Sequence, residues 1–172
     1  MARRFNHSRR WASFSRVVRY VHILYVVAKR AAKVRDYRKF TGMRILIVSD
    51  IHSNYVALET VLAVAGSVDQ IWNLGDTIGY GPRPNECVAA VKQAQVLIAG
   101  NHDLASLGRV NLSDFNPDAR TANIWNGEQL TAEHRTLLEG LPPRHDIDER
   151  FLAVHASPRE PIWEYLLTQE QA

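Results

Sequence analysis

Asp50, His52, Asp76, Asn101 and His155 have one feature in common: each stands where an apolar run stops, in Ser49-Asp50-Ile51-His52, Gly75-Asp76, Gly100-Asn101-His102-Asp103 and Val154-His155. Carboxylate oxygens, imidazole nitrogens and an amide oxygen are donors suited to a pair of divalent metals that could hydrolyse phosphate esters. Asp50 and His52 are two residues apart, so an extended backbone would project both to one side and let them share an ion. Asp76 offers two oxygens that can bridge two cations, Asn101 a neutral oxygen, and His155 a further nitrogen. This mixture suits manganese, iron or zinc better than calcium, and it contains no thiolate. Two cations about 3.5–4 Å apart can acidify a bridging water and clamp phosphoryl oxygens during in-line attack. His102, beside Asn101, is placed to protonate a leaving group, with Asp103 to orient it.

Taken singly, each residue has a plainer explanation. Aspartate and asparagine finish strands and start turns, and a lone histidine is more often packed or exposed than a ligand. Five in order behind apolar runs argue for a shared site. His7, His22, His134 and His145 lack that context and receive no role.

The positioning elements follow from periodicity. Arg44–Ser49 is a continuous β-branched and leucine run, as in a strand buried on both faces. Helical spacing over Tyr55–Ala65 closes at Gly66, and Gln70–Leu74 is a second strand. A Gly-Pro loop over Gly79–Pro84 precedes a helix over Asn85–Gln93 and a third strand over Gln95–Ala99. This alternation predicts a parallel sheet covered by helices, with ligands gathering beyond the carboxyl ends of the strands. Further helices are predicted over Ala119–Trp125 and Thr131–Glu139, a hairpin over Arg144–Ile147 and Phe151–His155, and a terminal helix over Ile162–Gln169.

Charge divides the chain in two. Residues 1–42 hold 12 Lys/Arg against Asp36, a net +11, whereas the rest holds 9 Lys/Arg and 17 Asp/Glu, a net −8. The overall +3 therefore describes a basic arm, and no specific nucleic-acid partner is inferred from it. That arm, residues 1–42, is expected to be helical and separate from residues 43–172. Arg19 and His22 interrupt its apolar stretch, which is too short and too charged to span a bilayer comfortably. Met43 reads like a natural start, which would make the arm an upstream extension; contact with a membrane surface, targeting and nucleic-acid attachment are the alternatives. The single Cys87 excludes an internal disulfide and fits a reducing, cytoplasmic setting.

From Met43 onward the chain resembles the calcineurin-like metallophosphoesterase superfamily. The motifs that carry the resemblance are Asp50-Ile51-His52, Gly75-Asp76-Thr77-Ile78-Gly79-Tyr80-Gly81-Pro82, Gly100-Asn101-His102-Asp103 and His155-Ala156-Ser157-Pro158. The Gly-Pro loop and the stretch from Pro158 to Leu166 look most like small prokaryotic YfcE-type phosphodiesterases. The resemblance implies an α/β fold, the four-layer αββα sandwich, with Asp50 and His52 on one metal, Asp76 bridging, Asn101 and His155 on the other, and His102 as the catalytic histidine. It implies two divalent ions, manganese first with iron, zinc or nickel as alternatives, and a phosphomonoester or phosphodiester substrate. The family closes its site with a late Gly-His-Thr/Ser-His turn, whereas no histidine follows His155. The domain over 43–172 is therefore expected to lack its C-terminal part, including strands of the second sheet. Two outcomes stay open: a metal-dependent phosphoric ester hydrolase, or a catalytically impaired binding module on the same fold. Oligomeric state is not legible.

Overall fold

The computed structural model describes residues 27–28, 43–149 and 151–171. Three short parallel strands, β2 (Ile45–Val48), β3 (Gln70–Asn73) and β4 (Val96–Leu97), lie side by side in that order. Ile45 pairs with Gln70 and Val48 with Asn73, while Trp72 pairs with Val96. Parallel neighbours need a crossover, and the helices α1 (Tyr55–Ala65) and α2 (Pro84–Val91) supply it. Local chemistry sets their limits. The Asn54 side chain accepts from Ala57 N at 3.1 Å, Gly66 at φ 65° ends α1, and Pro84 opens α2.

Strand alternation decides the layers. Leu46, Val48, Ile71 and Leu97 point to Leu58 of α1 and to Cys87 and Val91 of α2. Ile45, Trp72, Val96 and Ile98 meet Ile147, Phe151 and Ala153 of the second sheet. Both faces of the parallel sheet thus meet packed layers, although Ile47 of β2 stays exposed. The second sheet is antiparallel, in the order β1 (Val27–Ala28), β6 (Phe151–Val154), β5 (Arg144–Ile147). Its hairpin turns through Asp148 and Glu149 at φ 50° and 59°.

Of the helices α3 (Asn101–Ser106), α4 (Pro117–Gln129) and α5 (Ala132–Glu139), α3 packs against α4, and α4 and α5 pack against α2. α3 was not anticipated. Its signal was Asp103, whose carboxylate reaches back to Gly100 N at 3.0 Å across the first turn. α4 begins before the predicted Ala119 because Pro117 is preformed for a helix and the Asn116 side chain caps Ala119 N at 2.9 Å.

The predicted terminal helix over Ile162–Gln169 is a correction: this stretch forms bends and turns. Side chains there take the backbone N–H groups a helix would use. The Glu160 carboxylate accepts from Trp163 N and Glu164 N, and Gln171 Oε1 accepts from Leu167 N and Thr168 N. The helical arm expected over residues 1–42 lies outside the described residues except at Val27–Ala28, which pair with β6 in extended conformation. Among the described residues no helix is long and apolar enough to cross a membrane.

Candidate metal centre

The turn after β2 and the turn after β3 are laced together by backbone. Asp50 N donates to Gly75 O at 3.2 Å, His52 N to Asp76 O at 2.9 Å and Ser53 N to Thr77 O at 3.0 Å. Those bonds hold Asp50, His52, Ser53 and Asp76 at φ 54°, 49°, 56° and 52°. Left-handed backbone of this kind costs about 1–3 kcal/mol at each non-glycine residue and survives where neighbours over-determine it. The idea that Asp50 and His52 converge along extended backbone is therefore corrected. Both sit in left-handed turns, and it is the lacing to residues 75–77 that brings them together.

Two glycines make the close approach possible. A Cβ on Gly75 would lie 2.7 Å from Gly100 N and 2.8 Å from His155 Nδ1. One on Gly100 would lie 2.1 Å from Asp76 Oδ1. Neither position has room for a side chain.

Asp76 stands at the middle, 2% exposed. Its Oδ1 accepts from His102 N at 2.8 Å. Its Oδ2 lies 3.7 Å from His52 Nε2 and 3.4 Å from His155 Nε2. His52 Nε2 is also 3.7 Å from Asp50 Oδ1, and His155 Nε2 is 3.1 Å from Asn101 Oδ1. All five residues singled out as ligands come together, although His155 and Asp50 are more than a hundred positions apart. Among the described residues, four of them and His102 make two overlapping groups of donor atoms, Asp50–Asp76–His155 and His52–Asp76–His102, each with atoms within 4.8 Å of one another.

Electrostatics follow from this crowding. Burial opposes the charge on Asp76, but the His155 ring, with smaller help from His52 and His102, holds its pKa below the usual carboxylate value. Burial likewise opposes a charged His155, and Asp76 overrides it, raising that ring to about 9. Burial wins at His102, whose pKa is lowered. The centre thus attracts positive charge to Asp76 from two sides. A donor set of two carboxylates, two imidazoles and an amide oxygen fits divalent cations at that point. His155 Nδ1 lies 2.9 Å from Leu74 O, so it keeps a hydrogen, and Nε2, facing Asp76 and Asn101, is the nitrogen that would ligate once its own proton leaves. His52 Nδ1 is buried without a hydrogen-bond partner among the described residues.

Asp103 does not orient His102. Its wholly buried carboxylate accepts from Gly100 N and from Ile78 N, each at 3.0 Å, tying the second turn to the third. Burial, then the nearby charge of Asp76, pushes it up to about 7. The His102 ring is held instead by Asn123, whose Oδ1 lies 3.1 Å from Nδ1. One turn further along α4, Asn126 Oδ1 accepts from Ser53 Oγ, and its Nδ2 donates to Gly79 O and Gly81 O. Both asparagines are fully buried, and both were missed. Their signal was polar residues three apart inside a helical stretch, a pattern shared with solvent-facing helices.

Around the centre, the half-exposed Tyr80 ring stands 5.1 Å from His52 and 4.8 Å from His102. The residues set aside stay apart from the centre. His134 bonds Asn85 at 2.9 Å, His145 is exposed on β5, and Cys87 is buried in the helix–sheet core with its thiol raised to about 12 by burial.

Comparison with known proteins bears on this centre. The family model described as calcineurin-like phosphoesterase matches residues 43–170. An uncharacterized protein of Methanocaldococcus jannaschii is 37% identical over 129 residues, covering 71% of this chain and 53% of that protein. A symmetrical bis(5'-nucleosyl)-tetraphosphatase of Vibrio campbellii is 30% identical over 128 residues, covering 62% and 48%. The crystal structure of a metallophosphoesterase from Sphaerobacter thermophilus superposes with a TM-score of 0.61 at 54% identity, over 72% of this chain and 51% of that one. A hypothetical protein from Pyrococcus horikoshii OT3 shares the fold at 21% identity, with a TM-score of 0.58 over 73% and 60%. The chain spans about half the length of the curated relatives it matches.

Proposed function

Because this chain belongs to the calcineurin-like phosphoesterase family, we propose that the centre around Asp76 hydrolyses phosphomonoester or phosphodiester bonds with two divalent ions. Asp50 and His52 would hold one ion, Asn101 and His155 the other, and Asp76 would lie between them. The observation that carries this reading is a single oxygen, Asp76 Oδ2, faced by His52 Nε2 at 3.7 Å and by His155 Nε2 at 3.4 Å. Bound ions would supply an acidified water and neutralise charge on the phosphoryl oxygens.

The chain's own residues do the rest. Leu74 O holds the hydrogen of His155 on Nδ1, so that Nε2 is the nitrogen that deprotonates to take an ion. His102 N holds Asp76 Oδ1, leaving Oδ2 for the shared position. The left-handed turns at Asp50, His52 and Asp76 keep these donors in place before any substrate arrives. His102, with a ring nitrogen near the His52 and Asp76 donors, delivers a proton to the departing oxygen. The family resemblance puts manganese first, with iron, zinc or nickel as alternatives, and the mixed oxygen and imidazole donors fit each of them. Lone Cys87 favours a cytoplasmic setting. The tetraphosphatase among the relatives adds dinucleoside polyphosphates to the substrates worth assaying.

The test is manganese titration of the full chain, followed by hydrolysis of bis(p-nitrophenyl) phosphate. Two ions per chain with metal-dependent turnover supports the reading, and metal-independent turnover refutes it. Two ions bound without turnover would favour the impaired binding module.

A further inference from the structure

The amide of Asn123 has a task that the ligand set does not cover. It lies inside α4, fully buried, and its Oδ1 faces His102 Nδ1 at 3.1 Å and Ser106 Oγ at 3.4 Å. An amide oxygen can only accept, so Nδ1 of His102 carries the hydrogen and Nε2 becomes the nitrogen that gains and loses a proton. Apart from Asp76 on the metal side, the other neighbours of the ring are aromatic faces and edges: His52 at 4.6 Å, Tyr80 at 4.8 Å and Phe115 at 4.9 Å between centroids. They restrict tilt but do not choose a tautomer. Among the described residues Asn123 is the hydrogen-bond partner of the His102 ring.

Two further facts mark the contact as purposeful. Asn123 Nδ2 is buried with no hydrogen-bond partner among the described residues, a penalty that an apolar side chain of similar size would avoid. The helix that carries Asn123 is also pinned one turn later, where Asn126 grips Ser53 and the backbone of Gly79 and Gly81. Asn123 therefore approaches His102 from a fixed frame, and α4 becomes part of the site although no ligand lies on it.

We propose that Asn123 is a positioning residue that keeps the hydrogen on Nδ1 of His102, so that it is the imidazolium's Nε2 proton that passes to the leaving oxygen as the P–O bond breaks, and the ring returns to its neutral Nδ1–H form. The inference rests on the reading of His102 as proton donor. Nitrogen-15 NMR of the histidine-labelled full chain at alkaline pH, where the ring is neutral, tests the contact itself. The wild type should show His102 protonated on Nδ1. Asn123→Leu should shift it toward the Nε2–H form that free imidazole side chains prefer, and Asn123→Asp, which keeps an acceptor, should restore Nδ1–H. Kinetically, Asn123→Leu should lower kcat on an alkyl phosphate ester by about 10- to 100-fold. Its KM and bound manganese should be unchanged, and the loss should be far smaller on a p-nitrophenyl ester, whose leaving group needs no proton. A wild-type ring protonated on Nε2, or equal losses on the two esters, would overturn the proposal. Absence of metal-dependent hydrolysis by the wild type would instead remove the reading of the centre, while the nitrogen spectrum would still decide whether Asn123 places the proton.

Discussion

The two sheets contribute unequally to the centre, and they hold their contributions by different means. The parallel sheet delivers Asp50, His52, Asp76 and Asn101 from three successive strand ends; the first two turns are joined by backbone hydrogen bonds and the third is tied to the second through the Asp76 and Asp103 carboxylates. The hairpin sheet delivers His155 alone, held by side-chain contacts to Leu74 O and Asn101 Oδ1. Burial divides within each sheet: β6, which leads to His155, is buried and Arg144, His145 and Asp146 of β5 are exposed, while the parallel sheet packs on both faces except at Ile47 of β2. A sheet gripped from both sides can keep strained turns at its ends. A sheet with a solvent-facing strand can place one side chain there but gives it less backbone support.

Substitutions should expose that difference. Asp76→Asn strikes the point that both metal groups share, and its loss of metal-dependent turnover should exceed the roughly 100-fold upper range for residues that only orient ligands. His155→Ala removes one nitrogen from the hairpin side. We expect a loss of about 10- to 100-fold in manganese affinity for one of the two ions, with the other retained. Calorimetric titration of both variants checks the ordering, and equal damage would mean that the hairpin is as central as the parallel sheet.

Packing gives the next effect. Gly100→Ala drives a methyl to 2.1 Å from Asp76 Oδ1, and should lower stability by about 1–3 kcal/mol, read from denaturant unfolding.

Acidity distinguishes the halves more gently. Without metal, Asp76 raises His155 to about 9 from its ordinary 6.5. That proton stabilises the metal-free fold fully below pH 6.5, and the stabilisation is lost as pH rises through 9. The same proton must leave Nε2 before it can ligate, so manganese affinity should climb across that window by up to about tenfold per pH unit. Titrations at neutral and mildly alkaline pH measure the slope, and His155→Ala should flatten it.

The smallest effect belongs to the outer hairpin. Arg144 and Asp146 form a half-exposed pair at 3.2 Å, so Arg144→Ala should shift stability by less than about 1 kcal/mol and leave metal binding unaltered.

Much of this protein is legible before any coordinates are drawn. The apolar run at Arg44–Ser49 and the shorter stretch Gln70–Leu74 read as strands, and the caps at Asn54, Gly66 and Thr131 mark helix ends within a residue or two. The residue types at Asp50, His52, Asp76, Asn101 and His155 already name a cation chemistry, because metal donors are few and their position after apolar runs is unusual. Such features depend on neighbours in the chain. Other features depend on groups distant in sequence that only packing brings into contact. The left-handed turns at Asp50, His52 and Asp76 exist because residues 50–53 bond to residues 75–77. Asp103 serves two backbone N–H groups instead of the adjacent histidine, and that histidine is held from α4 by an asparagine with no distinguishing local signal. Side-chain acceptors at Glu160 and Gln171 replace a helix that periodicity alone would allow. Local sequence limits which donors and elements are available, but a hydrogen bond is short and directional, so its partner is chosen only when the folded chain has put the two atoms within reach.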